Sequence, residues 1–159
     1  MTEPARELIR HALATLAYRA AKATRNAPAN FPNFQAGNSV RTPLQIVSHL
    51  SDLMGWALGV AKGNPEYGQQ TPNDWEQELR RFHSSLAALD EFLASSEKMA
   101  VPPETLFQAP IADALTHVGQ LALLRRMAGG PVRGEDFSRA EIVAGRLGAQ
   151  QSPPAFEFD

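Results

Sequence analysis

The stretch from Pro110 to Met127 reads P-I-A-D-A-L-T-H-V-G-Q-L-A-L-L-R-R-M and sets Asp113 and His117 four residues apart. In a helix that spacing puts both side chains on one face, one turn apart. The same face continues through Leu121, Leu124 and Ala128, so the carboxylate and the imidazole are expected to point inward. A second helical stretch, Pro43 to Lys62, sets His49 in a stripe of Ile46, Leu50, Leu53, Ala57 and Val60. Two inward imidazoles and one inward carboxylate make a mixed nitrogen and oxygen donor set for a divalent transition ion: zinc, nickel, iron or manganese. Three protein ligands would leave a coordination position open for a water or a substrate thiol, as catalysis requires.

Each residue also has a simpler reading. A buried histidine is often just hydrogen-bonded. Asp113 follows Pro110 closely, and a carboxylate is favoured near a helix start. Asp52 lies one turn after His49 and Gln120 three residues after His117, so either would orient a ligand as a supporting group. Trp56 and Tyr18 would line a pocket or simply pack in the core. His11 and His83 are alternative third ligands should Asp113 not serve. Arg125 and Arg126 are expected at the surface or at an interface, one of them a possible holder of a substrate carboxylate.

The elements that must position these groups are helical. At 159 residues the chain fits one domain, 1–159, with room for a sizeable core. Residues 3 to 26 read as a first helix capped by Thr2, with Leu8, Ile9, Ala12, Leu13, Leu16 and Ala20 on one stripe. A long connection, Asn26 to Arg41, carries Phe31 and Phe34, which would either tuck it onto the body or line a pocket mouth. Thr42-Pro43-Leu44-Gln45 is a capping box that opens the second helix, and Gly63 closes it. Thr71-Pro72-Asn73-Asp74 opens a third, with Leu79, Phe82, Leu86, Leu89 and Leu93 inward. Pro110 is expected to begin the fourth, stopped by Gly129-Gly130-Pro131. Ser138-Arg139-Ala140-Glu141 reads as a further capping box before a short helix to Arg146, and Gln150 to Asp159 as a tail that docks on the body or on a second subunit. No strand candidate alternates clearly. The expected class is an all-α four-helix bundle with a short C-terminal helix and a tail.

Composition narrows the function. A formal net charge of −2 gives no electrostatic case for nucleic acid or an anionic membrane. The absence of cysteine excludes disulfides, thiolate nucleophiles and Cys-ligated zinc. Glu3, Arg6, Glu7 and Arg10 interrupt any leader-like apolar run, and no stretch is apolar enough to span a bilayer, so a cytoplasmic protein is expected.

Asp113-Ala114-Leu115-Thr116-His117-Val118-Gly119-Gln120-Leu121, followed by Leu124-Arg125 and the glycine stop, resembles the last helix of the DinB/YfiT-like family of bacterial four-helix proteins. That family shows H-x-x-x-H-R-G-Q-L there and an earlier histidine in its second helix, in a context similar to Thr42-Pro43 through His49-Leu50-Ser51-Asp52. The resemblance extends over most of the chain in order and spacing, on few specific residues. It implies that His49 and His117 are metal ligands and that Asp113 stands where the middle histidine is usual, still a metal-capable group. Val118 stands where an arginine is common. The resemblance also implies up-down-down-up connectivity, a homodimer, and a metal-dependent hydrolase or thiol-dependent transferase acting on a small molecule. A non-catalytic dimeric bundle, serving as a binding or regulatory module with a buried polar cluster, is the alternative.

Overall fold

The computed structural model describes residues 3–159, which leaves the expected Thr2 cap outside the described residues. Three long helices come first: α1 (Pro4–Thr24), α2 (Pro43–Lys62) and α3 (Trp75–Ala94). A fourth long helical segment is composite. It consists of α4 (Pro103–Leu106), a π-helical stretch (Phe107–Ile111) and α5 (Ala112–Met127). A small antiparallel ladder then joins β1 (Gly134–Glu135) to β2 (Glu157–Phe158), pairing Gly134 with Phe158 and Glu135 with Glu157. The fold is a mainly helical bundle.

The helix ends follow local chemistry. Proline occupies the start of α1, α2 and α4, where its missing N–H costs nothing. At α2 the Gln45 N–H donates to Thr42 Oγ1 at 3.2 Å, and the Thr42 N–H donates to Gln45 Oε1 at 2.9 Å, forming the expected box. Gly63 closes α2 at φ 81°, a left-handed conformation that glycine adopts without penalty. In the Thr71–Asp74 signal it is Asp74 that caps α3, accepting from the Gln77 N–H at 2.9 Å.

Pro110 does not begin a helix, contrary to expectation. Helical dihedrals continue from Leu106 (φ −68°, ψ −38°) through Ala112 (φ −62°, ψ −39°). A proline inside an α-helix lacks a donor and clashes with the preceding turn. The π segment takes up both problems by widening the turn that contains Pro110. The helix therefore starts at Pro103, and Asp113 lies ten residues further on, about 15 Å from the N-terminal dipole end. The simple explanation of Asp113 as a first-turn carboxylate loses its basis.

The apolar stripes meet in one core. Leu13, Leu16 and Ala17 of α1, Leu50 and Met54 of α2, Phe82, Leu86, Leu89 and Leu93 of α3, and Ala114 and Leu121 of α5 are fully or almost fully buried. Each large side chain among them contributes about 1.5–3 kcal/mol by leaving water. Leu8, expected on the α1 stripe, is 68% exposed instead. In the long connection Phe31 is buried against Trp75, ring edge to face at 5.7 Å, and Phe34 packs on the core. Both tuck the loop onto the body.

The region after α5 differs most from expectation. Only a 3-10 turn, Phe137–Arg139, forms where a helix from Ser138 was expected. The Ser138 hydroxyl and N–H both donate to Asp136, and Ala140 is extended (φ −71°, ψ 144°), so the proposed box never assembles. The tail docks on the body. Lys22 lies 2.9 Å from Glu135 and 3.0 Å from Glu157, tying both strands to α1. The Tyr18 hydroxyl donates to Glu135 at 2.6 Å, and burial followed by that bond pushes its pKa well above the ordinary phenol value.

Arg125 is likewise buried rather than superficial. Its guanidinium donates to the carbonyls of Ala23, Arg25, Asn26 and Gly130. Those groups end α1 and α5, so this one side chain satisfies acceptors at two helix termini. Arg126 is exposed.

His83 is half-buried on α3 and donates from Nδ1 to the Leu147 carbonyl at 2.7 Å, fastening the C-terminal segment. Burial lowers its pKa below the ordinary 6.5, outweighing that hydrogen bond. The unfolded chain then binds more protons than the folded one just below that value, so stability is fully present above it and is lost as pH falls. In chelator, the urea midpoint is expected to drop between about pH 7.5 and about pH 5.5, and His83→Gln to flatten that drop. An equal slope in the variant would rule out a titrating His83.

Candidate metal centre

The centre forms where α2 meets α5. His49 sits on the second turn of α2, held in place by the capping box below it and by buried Val47, Ser48 and Leu50 around it. Asp113 and His117 project from α5, just beyond the π segment. His117 Nε2 lies 3.4 Å from Asp113 Oδ1, and His49 Nε2 lies 3.8 Å from Asp113 Oδ2. The imidazole rings meet edge to face with centroids 4.7 Å apart. The three residues each offer one donor atom within 4.8 Å of the others, the one such group of three among the described residues.

These distances suit a shared ion. Two donors at roughly 2.0–2.1 Å from a tetrahedral centre lie roughly 3.3 Å apart. The Asp113–His117 pair is close to that separation, while His49 is wider, at 3.8 Å from the other carboxylate oxygen, and would move inward on sharing an ion. The donor set, two imidazole nitrogens and one carboxylate oxygen, fits zinc, nickel, iron or manganese.

Supporting contacts fix the ring orientations. Gln120 Oε1 lies 2.8 Å from His117 Nδ1. A carbonyl oxygen only accepts, so Nδ1 carries a proton, and Nε2 is the ring nitrogen turned to Asp113. On His49, Nδ1 lies 3.2 Å from the Tyr67 hydroxyl, which leaves Nε2 directed at Asp113. Trp56 supports Tyr67 edge to face at 6.2 Å. Burial first, then the Arg41 guanidinium and His117, lower the His49 pKa, against the opposing pull of Asp113 and Asp52. A neutral imidazole is the form that binds a metal.

Asp113 is the open side. Its side chain is 49% exposed, whereas those of His49 and His117 are 12% and 10% exposed. Asp52 is buried and paired with Arg81 at 2.8 Å, not with a ligand. Arg81 also reaches Glu78 at 2.9 Å and the carbonyl and hydroxyl of Ser48. Burial alone would raise the Glu78 carboxyl, but the Asn73 N–H and the Arg81 guanidinium overcome it and hold it below its ordinary value. This network clamps α3 to the turn of α2 that carries His49. His11 is exposed on α1 and His83 faces Leu147, so neither joins the cluster.

Tyr67 and Arg41 were not legible as site residues. Tyr67 stands in a connection with Pro65 and Gly68, where no periodicity assigns a face. Arg41 precedes the Thr42 cap, and only the folded path brings it beside His49.

No family model, curated protein or solved structure matches this chain.

Gln120→Leu keeps helix propensity but removes the acceptor for His117. Zinc affinity, read by competition with a chromophoric chelator, is expected to fall about tenfold. Unchanged affinity would mean that this bond does not orient the ligand.

Proposed function

We propose that this protein is a metal-dependent enzyme of the DinB-like class, with His49, Asp113 and His117 holding one divalent transition ion. The observation that carries the reading is the convergence of those three donors from α2 and α5. A bound ion would act as a Lewis acid, lowering the pKa of a water or a low-molecular-weight thiol for hydrolysis or group transfer. The residues supply the rest. Gln120 and Tyr67 set the two imidazoles, Asp113 offsets the ion's charge, and its half-exposed side chain leaves an approach for a small molecule.

The same reading includes up-down-down-up connectivity. In support, Arg10 pairs with Asp90 at 2.9 Å and the Arg6 guanidinium reaches carbonyls at the end of α3, as antiparallel α1 and α3 require. Arg81, in the first half of α3, reaches Ser48 and Asp52 in the first half of α2, while Lys62 at the end of α2 lies over Phe92 near the end of α3, as a parallel pair requires. A cytoplasmic location is in keeping with the finding that no helix among the described residues is long and apolar enough to cross a membrane.

A homodimer belongs to the proposal too. Leu8 (68% exposed) and Phe107 (50%) flank an apolar cleft of about 580 Å³ between α1 and the α4–π segment, a face that a second copy would cover. Sedimentation is expected to show a dimer for the wild type and a monomer for the doubly substituted Leu8→Glu, Phe107→Glu chain. A monomeric wild type would remove this part of the reading.

A non-catalytic bundle, acting as a binding or regulatory module, draws on the same contacts, because Asp113 already lies close enough to hold either imidazole once protonated. The exposure of Asp113 leaves a small molecule an approach from solvent, which the enzyme reading uses.

Metal content separates the two readings. Wild type purified without a His-tag or chelator is expected to carry about one equivalent of a transition metal, and His117→Ala to lose it. A metal-free wild type that zinc, nickel, manganese and iron(II) all fail to stabilise thermally would select the non-catalytic module.

A further inference from the structure

Two cavities flank the candidate centre, and Arg41 lines both. One, of about 150 Å³, is bounded by Arg41, Gln45, Ser48, His49, Asp52 and Gln70, among others. The other, of about 470 Å³, is bounded by Ser39, Val40, Arg41, Ile46, Gln120, Leu123 and Leu124. The first has a proposed ligand in its wall, and the second has the residue that orients His117. Arg41 is the one Lys or Arg among these lining residues. It is exposed and has no carboxylate partner among the described residues. Arg80 and Arg133 are exposed without a carboxylate partner among the described residues as well, and what sets Arg41 apart is its place in the walls of both cavities; Arg81, by contrast, is engaged by Asp52 and Glu78.

We propose that Arg41 is the anion-recognition residue of this site, and that the substrate is a small molecule bearing a carboxylate and a short apolar portion beside its reacting group. This rests on the metal-site reading above. A planar guanidinium matches a carboxylate with two parallel hydrogen bonds. Val40, Ile46, Leu123 and Leu124 give the larger cavity its apolar wall. An anion at Arg41 would leave the rest of the molecule next to His49 on one side and Gln120 on the other. The role expected of Arg125 or Arg126 thus passes to a residue on a different segment.

The test uses cobalt(II)-loaded protein and two thiols, 3-mercaptopropionate and its methyl ester, followed by calorimetry and by the absorption of the cobalt. The pair shares the thiol and differs in the anion. Wild type is expected to bind the acid about fivefold more tightly than the ester, a factor scaled to a solvent-exposed ion pair. Arg41→Gln is expected to make the two affinities equal, and Arg41→Lys to restore part of the preference. Cobalt uptake with neither probe bound, equal affinities in wild type, or a preference that survives Arg41→Gln would each overturn the inference and leave the metal site standing. No cobalt uptake by wild type would overturn the metal-site reading, and the inference with it.

Discussion

The candidate centre depends on the last helix passing through Pro110 without stopping. A helix beginning at Pro110 would have put Asp113 in a fraying first turn. The π segment instead carries the chain across the missing N–H, with Pro110 and Ile111 buried and α4 packed upstream. Asp113 and His117 then lie within a long helix that is supported on both sides. Their shared face is set by the i, i+4 spacing, and the packing of α5 on α2 brings it to the level of His49.

Around that helix, buried charges are satisfied in chains rather than in isolated pairs. Asn73, Glu78, Arg81, Asp52 and Ser48 form one such chain between α3 and α2. Tyr18, Glu135, Lys22 and Glu157 form another between α1 and the terminal ladder. Among the described residues no buried side-chain polar atom lacks a partner. Interaction energy in such clusters is modest compared with the cost of leaving one member alone. Their main effect is therefore on geometry: they fix which turn of α3 meets which turn of α2, and so where His49 stands.

How much of this could be read from the sequence depends on the range of the determining interaction. The bounds of α2 follow from a capping box at Thr42 and Gln45 and a left-handed Gly63, all local, and they were legible. That Asp113 and His117 share a face follows from helical periodicity, but only His117 is buried: Asp113, expected inward, is exposed at the rim of that face. The continuity through Pro110 was not legible, because a π turn is stabilised by what packs on it. Ser138 and Glu141 carry a helix-start pattern, yet Asp136 competes successfully for the same serine. Arg125 looked like a surface cation because its four carbonyl partners belong to chain ends that only the fold brings together. Tyr67 and Arg41 lie in connections, where one sequence offers no facing rule.

The proposed ligands divide unequally between the two helices. Asp113 and His117 become neighbours as soon as α5 winds, whereas His49 arrives only when α2 docks. A segment holding just the α5 pair would have a weak, two-point grip on an ion, and the third point would appear with the closed bundle. Under the proposed reading the centre would act as a distance gauge between two helices: loosening their contact would separate His49 from the other two donors while leaving the helical content of each untouched. A strain that barely registers in backbone spectroscopy would show at this one place, as a change in the separation of His49 from Asp113 and His117.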